Sequence, residues 1–294
     1  MSSSAVDVAG AAPGSERRDE HARVELLTSD GLCLWGQWWW PRHPEDAPGT
    51  VVVAHGFSAS REDGAVRSLA SALAGAGYNV LTYDARGHGE SEGWSAVGTE
   101  EHHDVASAVE RAARTGRPVV IIGVSMGAVA VVNHLAGRRP LSTIVVGAVL
   151  VSAPARWRMR LSAVGMLTAA LTRTRPGRWL AGRRLRVRVA RHWRVGEPLE
   201  DAIGRIDVPV AIVHGMRDRL LASAHGRKLH GSALGPCRLD LVARMGHGVD
   251  DAGRGAVVNA VSWVLEAAAA VPRPVLVPDD PTQRQGASAV SFGW

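Results

Sequence analysis

Residues 118–130, Pro-Val-Val-Ile-Ile-Gly-Val-Ser-Met-Gly-Ala-Val-Ala, contain the pattern that decides the fold. Residues 119–122 are a β-branched run bounded by Pro118 and Gly123, which is typical of a strand buried on both faces. The chain then passes through Gly-x-Ser-x-Gly into an Ala/Val-rich segment with helical potential. A strand-to-helix turn of this kind presents a nucleophilic serine, here Ser125, because its glycines allow a sharp, strained turn that holds the hydroxyl clear of its neighbours.

A second copy of the five-residue pattern occurs at residues 89–93, Gly-Glu-Ser-Glu-Gly, so the motif alone does not identify the nucleophile. No apolar strand directly precedes this copy, and no obvious helix follows it. Its serine, Ser91, lies between two glutamates whose charge would oppose an alkoxide-like nucleophile. We interpret Ser91 as a loop residue and Ser125 as the nucleophile.

Length and composition fit one α/β domain. The chain has 294 residues, 46% of them hydrophobic, and a formal charge of +6. Lys228 is the only lysine, so the excess of arginine reflects genome bias better than nucleic-acid binding. Two cysteines, Cys33 and Cys237, make neither a disulfide framework nor a metal cluster. The first residues lack the basic start and apolar core of a signal peptide, and the apolar stretches are too interrupted for a membrane span, which predicts a cytoplasmic protein.

Strand and helix patterns alternate on both sides of the serine motif. A hairpin is predicted at residues 23–28 and 32–40, turning at Asp30-Gly31, followed by strands at 50–54, 79–83, 142–151, 208–213 and 237–243. Helices are predicted at residues 62–77, 99–115, 223–234 and 252–270, with Thr99 as an N-cap. This alternation predicts a mostly parallel sheet with helices on both faces. The core would comprise residues 21–151 and 206–270, between a disordered N-terminal tail (1–20) and a proline-containing C-terminal tail (271–294).

Residues 152–205 interrupt the alternation. They contain 13 arginines against three acidic residues, an excess of ten positive charges, whereas the rest of the chain is net negative. Tryptophans and an apolar run alternate with the arginines, as in amphipathic helices. An insertion of this kind between two sheet strands predicts an Arg-rich helical lid. Its charge favours either docking of an anionic partner or simply a solvated outer face.

The partners that Ser125 needs are predicted at the ends of two later strands. A serine nucleophile requires a base, usually histidine oriented by a carboxylate, and functional residues of open parallel sheets follow the carboxyl ends of strands. Asp218 follows the strand at 208–213, and His247 follows the strand at 237–243. Of twelve histidines, those at other strand ends are interpreted as structural: His55, His88 and His214. The N–H groups of Met126 and Phe57 are the predicted oxyanion donors.

The ordered motifs resemble those of the α/β-hydrolase superfamily. They are His-Gly-Phe at 55–57, Asp-Ala-Arg-Gly-His-Gly-Glu-Ser at 84–91 and Gly-Val-Ser-Met-Gly at 123–127. Within the superfamily, they are similar to the esterase, monoacylglycerol lipase-like and serine aminopeptidase-like group, over about residues 23–270. The resemblance implies the α/β-hydrolase fold and a structural role for residues 84–91. A serine nucleophile excludes the haloalkane dehalogenase and epoxide hydrolase branches, for which the resemblance implies aspartate.

The predicted function is that of a cofactor-free and metal-free serine hydrolase acting on a small-molecule carboxylic ester or thioester. The same catalytic residues also permit amide or peptide cleavage or perhydrolysis, and the same fold also serves non-catalytic ligand receptors or scaffolds. An acyl carrier protein, a coenzyme A thioester or an acidic lipid surface would suit the charge of the lid. Nucleic acid is not expected, because no motif accompanies the charge.

Overall fold

One sheet organises the described part of the protein. A computed structural model describes residues 21–137, 144–156 and 163–270. The predicted tails, 1–20 and 271–294, lie outside these residues, as do 157–162 of the insert. The strands are β1 (Arg23–Leu27), β2 (Cys33–Trp39), β3 (Thr50–Ala54), β4 (Asn79–Tyr83), β5 (Val119–Val124), β6 (Val145–Val151), β7 (Val210–Gly215) and β8 (Cys237–Val242).

The sheet has the order β1-β2-β4-β3-β5-β6-β7-β8 and is mostly parallel, as predicted. β1 and β2 form the antiparallel hairpin, and β2 pairs antiparallel with β4. From β4 to β8, every neighbouring pair is parallel. The carboxyl ends of these six strands therefore lie along one edge of the sheet, and β5 lies in its interior.

The central strands are buried on both faces, and their alternation divides the core into two layers. In β3, Val52 and Ala54 point into one hydrophobic cluster, whereas Val51 and Val53 point into the other. This follows from the two-residue repeat of a strand, and it explains why the sequence of β3 is continuously apolar rather than alternating.

Helices cover both faces of the sheet, which confirms the predicted fold class. They are α1 (Gly64–Gly75), α2 (His102–Ala113), α3 (Met126–Gly137), α4 (Ala163–Arg173), α5 (Arg175–Leu180), α6 (Leu199–Ala202), α7 (Ala224–Ser232) and α8 (Asp251–Ala270). α1 and α8 contribute Leu69 and Val261 to one layer of the core. α2 and α3 contribute Val105 and Val129 to the other. The architecture is that of an α/β-hydrolase.

The predicted start of α2 was wrong. The helix begins at His102, and its N-cap position is occupied by Glu101 rather than Thr99. The Thr99 hydroxyl donates to the Ala96 carbonyl at 2.9 Å, so it closes a turn before the helix. The Glu101 carboxylate accepts from the N–H groups of Ala96 and Gly98, at 3.0 and 2.7 Å, and thereby shapes the same turn.

The insert between β6 and β7 is largely helical where it is described. α4 and α5 are followed by a π-helical turn, Ala181–Leu185. Two isolated bridges then attach the insert to the core, pairing Val187 with His88 and Val189 with Ser95. The insert therefore rests on the loop that follows β4 without joining the sheet.

Candidate active site

Ser125 occupies a strained turn between β5 and α3. Its backbone has φ +51°, in the left-handed region that non-glycine residues rarely adopt. A Cβ atom at Gly127 would overlap the carbonyl oxygen of Ala54, at the end of neighbouring β3. Only glycine at this position lets the elbow approach β3 so closely, which accounts for the second glycine of the motif.

The structure brings Ser125, His247 and Asp218 together. The Ser125 Oγ lies 2.9 Å from His247 Nε2, and His247 Nδ1 lies 2.7 Å from Asp218 Oδ2. The three residues follow β5, β7 and β8, so a single edge of the sheet supplies the whole chain of hydrogen bonds. Two other aspartates near these loops are not part of this chain of hydrogen bonds. Asp207 precedes β7, and the Asp250 carboxylate accepts from the N–H groups of Gly246 and Gly253, where it organises the start of α8.

Asp218 is held as a buried carboxylate. Its side chain is inaccessible to solvent, and Oδ1 accepts from the N–H groups of Leu220 and Leu221, each at 2.8 Å. Burial acts to raise the pKa of Asp218, but the hydrogen bond and charge of His247, with the two backbone donors, outweigh it and lower the pKa. Asp218 therefore stays ionised at neutral pH.

Close packing of two loops sets the positions of Asp218 and His247. A Cβ atom at Gly215 would overlap the carbonyl oxygens of Met245 and Gly246, in the loop after β8. The N–H of Arg217 also donates to the Met245 carbonyl at 3.0 Å. The loop that carries Asp218 is thus fixed directly to the loop that carries His247.

The predicted oxyanion donors lie beside the serine. Met126 is the first residue of α3, where N–H groups have no partner within the helix. Phe57 lies in the turn after β3, next to Gly56, where an added Cβ atom would lie 3.6 Å from Ser125 Cβ. Phe57 and Met126 both line the same cavity as Ser125 and His247.

The cavity at the serine encloses about 370 Å³ and is largely apolar. β3, α1 and the loop after β8 contribute Val53, Val66, Leu69 and Val249 to its wall. Asp63 is the one acidic side chain among its described lining residues, and its Oδ1 accepts from the Ala65 N–H at the start of α1. Thr168, in α4 of the insert, also lines the cavity.

Hydrogen bonds fix the loop that carries Phe57 at both ends. At one end, His55 Nε2 accepts from the Ala85 N–H at 3.0 Å, so Nδ1 carries the proton and donates to the Gly56 carbonyl at 2.8 Å. Burial lowers the pKa of His55, which keeps this tautomer neutral. At the other end, the Arg61 N–H donates to Asp84 Oδ1 at 2.7 Å, and its guanidinium pairs with Asp84 and Glu90.

Ser91 lies away from the catalytic hydrogen bonds, in the loop after β4. It is fully buried, donates to the Asp84 carbonyl at 2.6 Å and accepts from the Trp35 N–H at 2.9 Å. The first hydrogen bond links the two ends of the loop, and the second connects the loop to β2 of the sheet. The second serine motif is therefore a structural element, as the sequence had indicated.

Sequence reasoning missed Ser152. This residue directly follows β6, has φ +47°, and its Oγ accepts from the Gly248 N–H at 3.1 Å. It thus supports the backbone immediately after His247. Its position at the carboxyl end of a parallel strand was the available signal, because the same rule had identified Asp218 and His247.

One exposed group of metal-type ligands lies at the opposite edge of the sheet. Ligand atoms of His43, Glu45 and Asp46 lie within 4.8 Å of one another, shortly before β3 begins. Because Ser125 lies at the other end of the parallel strands, this group does not belong to the active site. Among the described residues, no helix is long and apolar enough to cross a membrane.

Comparison with known proteins agrees with the fold. The chain is an α/β-hydrolase. Residues 45–192, half of the chain, match the family described as serine aminopeptidase, S33, and the chain belongs to that family. Human monoglyceride lipase is 33% identical over 132 residues, covering 41% of this chain and 42% of the lipase. The match thus spans less than half of the lipase. An uncharacterized protein of Mycobacterium tuberculosis is 28% identical over 232 residues, covering 76% of this chain and 71% of its own length.

Solved structures show the same fold at lower identity. An esterase from Pyrococcus furiosus has a TM-score of 0.62 and 20% identity, covering 84% of this chain and 93% of the esterase. An esterase from Exiguobacterium antarcticum has a TM-score of 0.62 and 18% identity, covering 82% of this chain and 98% of that esterase. At these identities, the likeness extends to the fold alone.

Proposed function

We propose that the protein is a serine hydrolase that cleaves a carboxylic ester or thioester through an acyl-enzyme intermediate. The observation that carries the proposal is the hydrogen-bonded chain from Ser125 through His247 to Asp218, at the wall of an apolar cavity. An ionised carboxylate only accepts hydrogen bonds, so Asp218 selects the tautomer with the proton on Nδ1. Nε2 of His247 is then free to take the proton of Ser125.

The reaction follows from this arrangement. Ser125 Oγ attacks the substrate carbonyl while His247 accepts its proton, and Asp218 stabilises the imidazolium that forms. The N–H groups of Phe57 and Met126 bind the oxyanion, and His247 then protonates the leaving alcohol or thiol. Water, deprotonated by His247, releases the acid and restores Ser125. No cofactor or metal takes part in this mechanism.

The cavity wall favours an apolar acyl group. Val66 and Leu69 of α1 can contact a hydrocarbon chain, whose burial contributes about 0.8 kcal/mol per methylene.

The name of the family favours one second candidate, cleavage of an amide by an aminopeptidase. Binding of a free amino group would then fall to Asp63, the acidic side chain of the wall, which already caps α1. We propose that the insert acts as a lid, because Thr168 of α4 lines the cavity.

Labelling with a fluorophosphonate tests the nucleophile. Wild-type protein should be labelled on Ser125, and Ser125→Ala should lose both the label and the hydrolysis of p-nitrophenyl esters. Ser91→Ala is the matched control, because it alters the other Gly-x-Ser-x-Gly copy. It should still be labelled. The loss of two buried hydrogen bonds should lower its free energy of unfolding by about 1–3 kcal/mol, which a lower Tm would show.

Unchanged labelling of Ser125→Ala would refute the assignment of the nucleophile. A wild-type protein that is neither labelled nor active on esters, thioesters or amides would instead be a ligand receptor or scaffold. The ester and amide candidates are separated by matched acyl esters, acyl thioesters and aminoacyl amides. A higher kcat/KM on the amides would select the aminopeptidase.

A further inference from the structure

A second concave surface lies between the insert and the loop after β4, and we call it the Arg–Trp groove. It encloses about 610 Å³. Five arginines line it: Arg175, Arg178, Arg183, Arg188 and Arg191. Two tryptophans, Trp94 and Trp179, line it as well, and no acidic side chain is among its described lining residues. The groove therefore concentrates positive charge beside aromatic surface.

Most of this charge has no counter-ion in the described part of the chain. There, Arg175, Arg183 and Arg191 donate no side-chain hydrogen bond and form no ion pair, and the Arg183 guanidinium lies 5.9 Å from the centroid of the Trp179 ring. Several guanidinium groups around one concavity produce a positive potential that attracts anions. Each group presents a planar fork of donors, which matches the oxygens of a phosphate.

The floor of the groove is rigidly attached to the core. Val187 and Val189 are buried and carry the two bridges that hold the insert to the loop after β4. Between them, the Arg188 N–H donates to the Gly87 carbonyl at 2.7 Å, and its guanidinium donates to the carbonyls of Ser91 and Gly93. These contacts orient the arginine before any ligand arrives, which reduces the entropic cost of binding.

The tryptophans are unusually exposed for large aromatic residues. Trp94 is 60% exposed and Trp179 is 66% exposed. Indole rings beside guanidinium groups stack well on flat aromatic rings, and stacking of a nucleobase on an aromatic side chain does not depend on the identity of the base. We propose that the Arg–Trp groove binds a phosphorylated small molecule with a planar aromatic ring, which is the chemistry of a nucleotide. A concave site with an anchored floor fits a small ligand better than a lipid surface, which binds to a convex amphipathic face.

The groove lies close enough to the cavity for one ligand to reach both. Trp94 lines the groove, and Val97 lines the active-site cavity. Because these two residues are three positions apart in the chain, their Cα atoms are separated by at most about 10 Å. A nucleotide in the groove could thus present an acyl group on a flexible arm to Ser125, as the nucleotide end of a coenzyme A thioester would. This last step rests on the proposed hydrolase function, whereas nucleotide binding does not.

Binding of ADP to the full-length protein, measured by isothermal titration calorimetry, tests the proposal. Wild type and Ser125→Ala should bind ADP equally, because Ser125 is not part of the groove. Arg183→Gln and Trp179→Ala should each weaken binding about tenfold. Arg114→Gln is the matched control: it removes the same charge from an exposed position at the end of α2, away from the groove, and should leave binding unchanged.

Ligand fragments separate the two parts of the site. Adenosine, which lacks phosphate, and pyrophosphate, which lacks a ring, should each bind at least tenfold more weakly than ADP. The proposal is wrong if wild type shows no saturable binding of ADP, or if Arg183→Gln binds ADP as well as Arg114→Gln does. Binding to anionic vesicles or single-stranded nucleic acid without ADP binding would also overturn it. Loss of hydrolysis in Ser125→Ala with ADP binding intact separates this proposal from the catalytic one.

Discussion

At the scale of single residues, Asp218 is the side chain on which the proposed chemistry depends most directly. Its carboxylate is buried, accepts two backbone N–H groups and fixes the tautomer of His247. The sequence could identify it, because acid and base both follow strand ends. Its backbone donors and its burial depend on how the loop after β7 packs, so only the fold could show why its pKa is low.

Asp218→Asn should lower kcat by about 10⁴, with little change in KM. An asparagine amide can donate to Nδ1, which leaves Nε2 protonated and unable to accept the proton of Ser125. Steady-state kinetics on a p-nitrophenyl ester measures both constants. Asp207→Asn is the matched control, since Asp207 is exposed and precedes β7. Equal losses in the two variants would contradict the assigned role of Asp218.

At the scale of elements, two loops act as one unit beside the active site. Residues 55–61 carry the proposed oxyanion donor Phe57, and residues 84–91 carry Asp84 and Ser91. The ion pair between Arg61 and Asp84 is almost completely buried, so each charge depends on the other. Sequence patterns marked both loops but could not pair them, because the residues are 23 positions apart and meet only across β3 and β4.

Arg61→Ala should reduce the free energy of unfolding by about 3–5 kcal/mol, because it leaves the buried Asp84 carboxylate without an opposite charge. Denaturant unfolding monitored by circular dichroism gives this value. Arg67→Ala is the matched control: Arg67 pairs with Glu62 on the exposed side of α1, where a pair contributes about 1 kcal/mol or less. Similar decreases in the free energy of unfolding of both variants would contradict the larger contribution expected for the buried ion pair.

At the scale of the whole molecule, buried histidines connect stability to pH. Burial lowers the pKa of His88 to about 3, and it also lowers those of His55 and His214. Unfolded histidine titrates near 6.5, so between pH 6.5 and about 3 the unfolded state binds protons that the folded state excludes. Proton binding by these histidines in the unfolded state therefore lowers the free energy of unfolding progressively as the pH falls below 6.5.

His88→Gln should make this loss shallower. Between pH 6.5 and 5, wild type should lose about 2 kcal/mol more unfolding free energy than the variant. Denaturant unfolding at each pH measures the difference, and comparing slopes cancels other titrating groups and any constant effect of the substitution. Parallel pH profiles for the two proteins would contradict a neutral, buried His88.

The sequence by itself determined where the strands lie along the chain, the mostly parallel arrangement of the sheet, the elbow at Ser125 and the positions of Asp218 and His247 at strand ends. These features depend on local periodicity and turn chemistry, which neighbouring residues encode. The prediction from sequence that Thr99 is the N-cap of α2 was wrong, because Glu101 organises that turn through hydrogen bonds that residue spacing alone does not reveal. Only the tertiary structure decided that Arg61 meets Asp84, that Ser152 supports the backbone after His247, and that Trp94 shares a groove with the arginines of the insert. Such contacts join residues far apart in sequence, so they exist only once the sheet and its loops have packed.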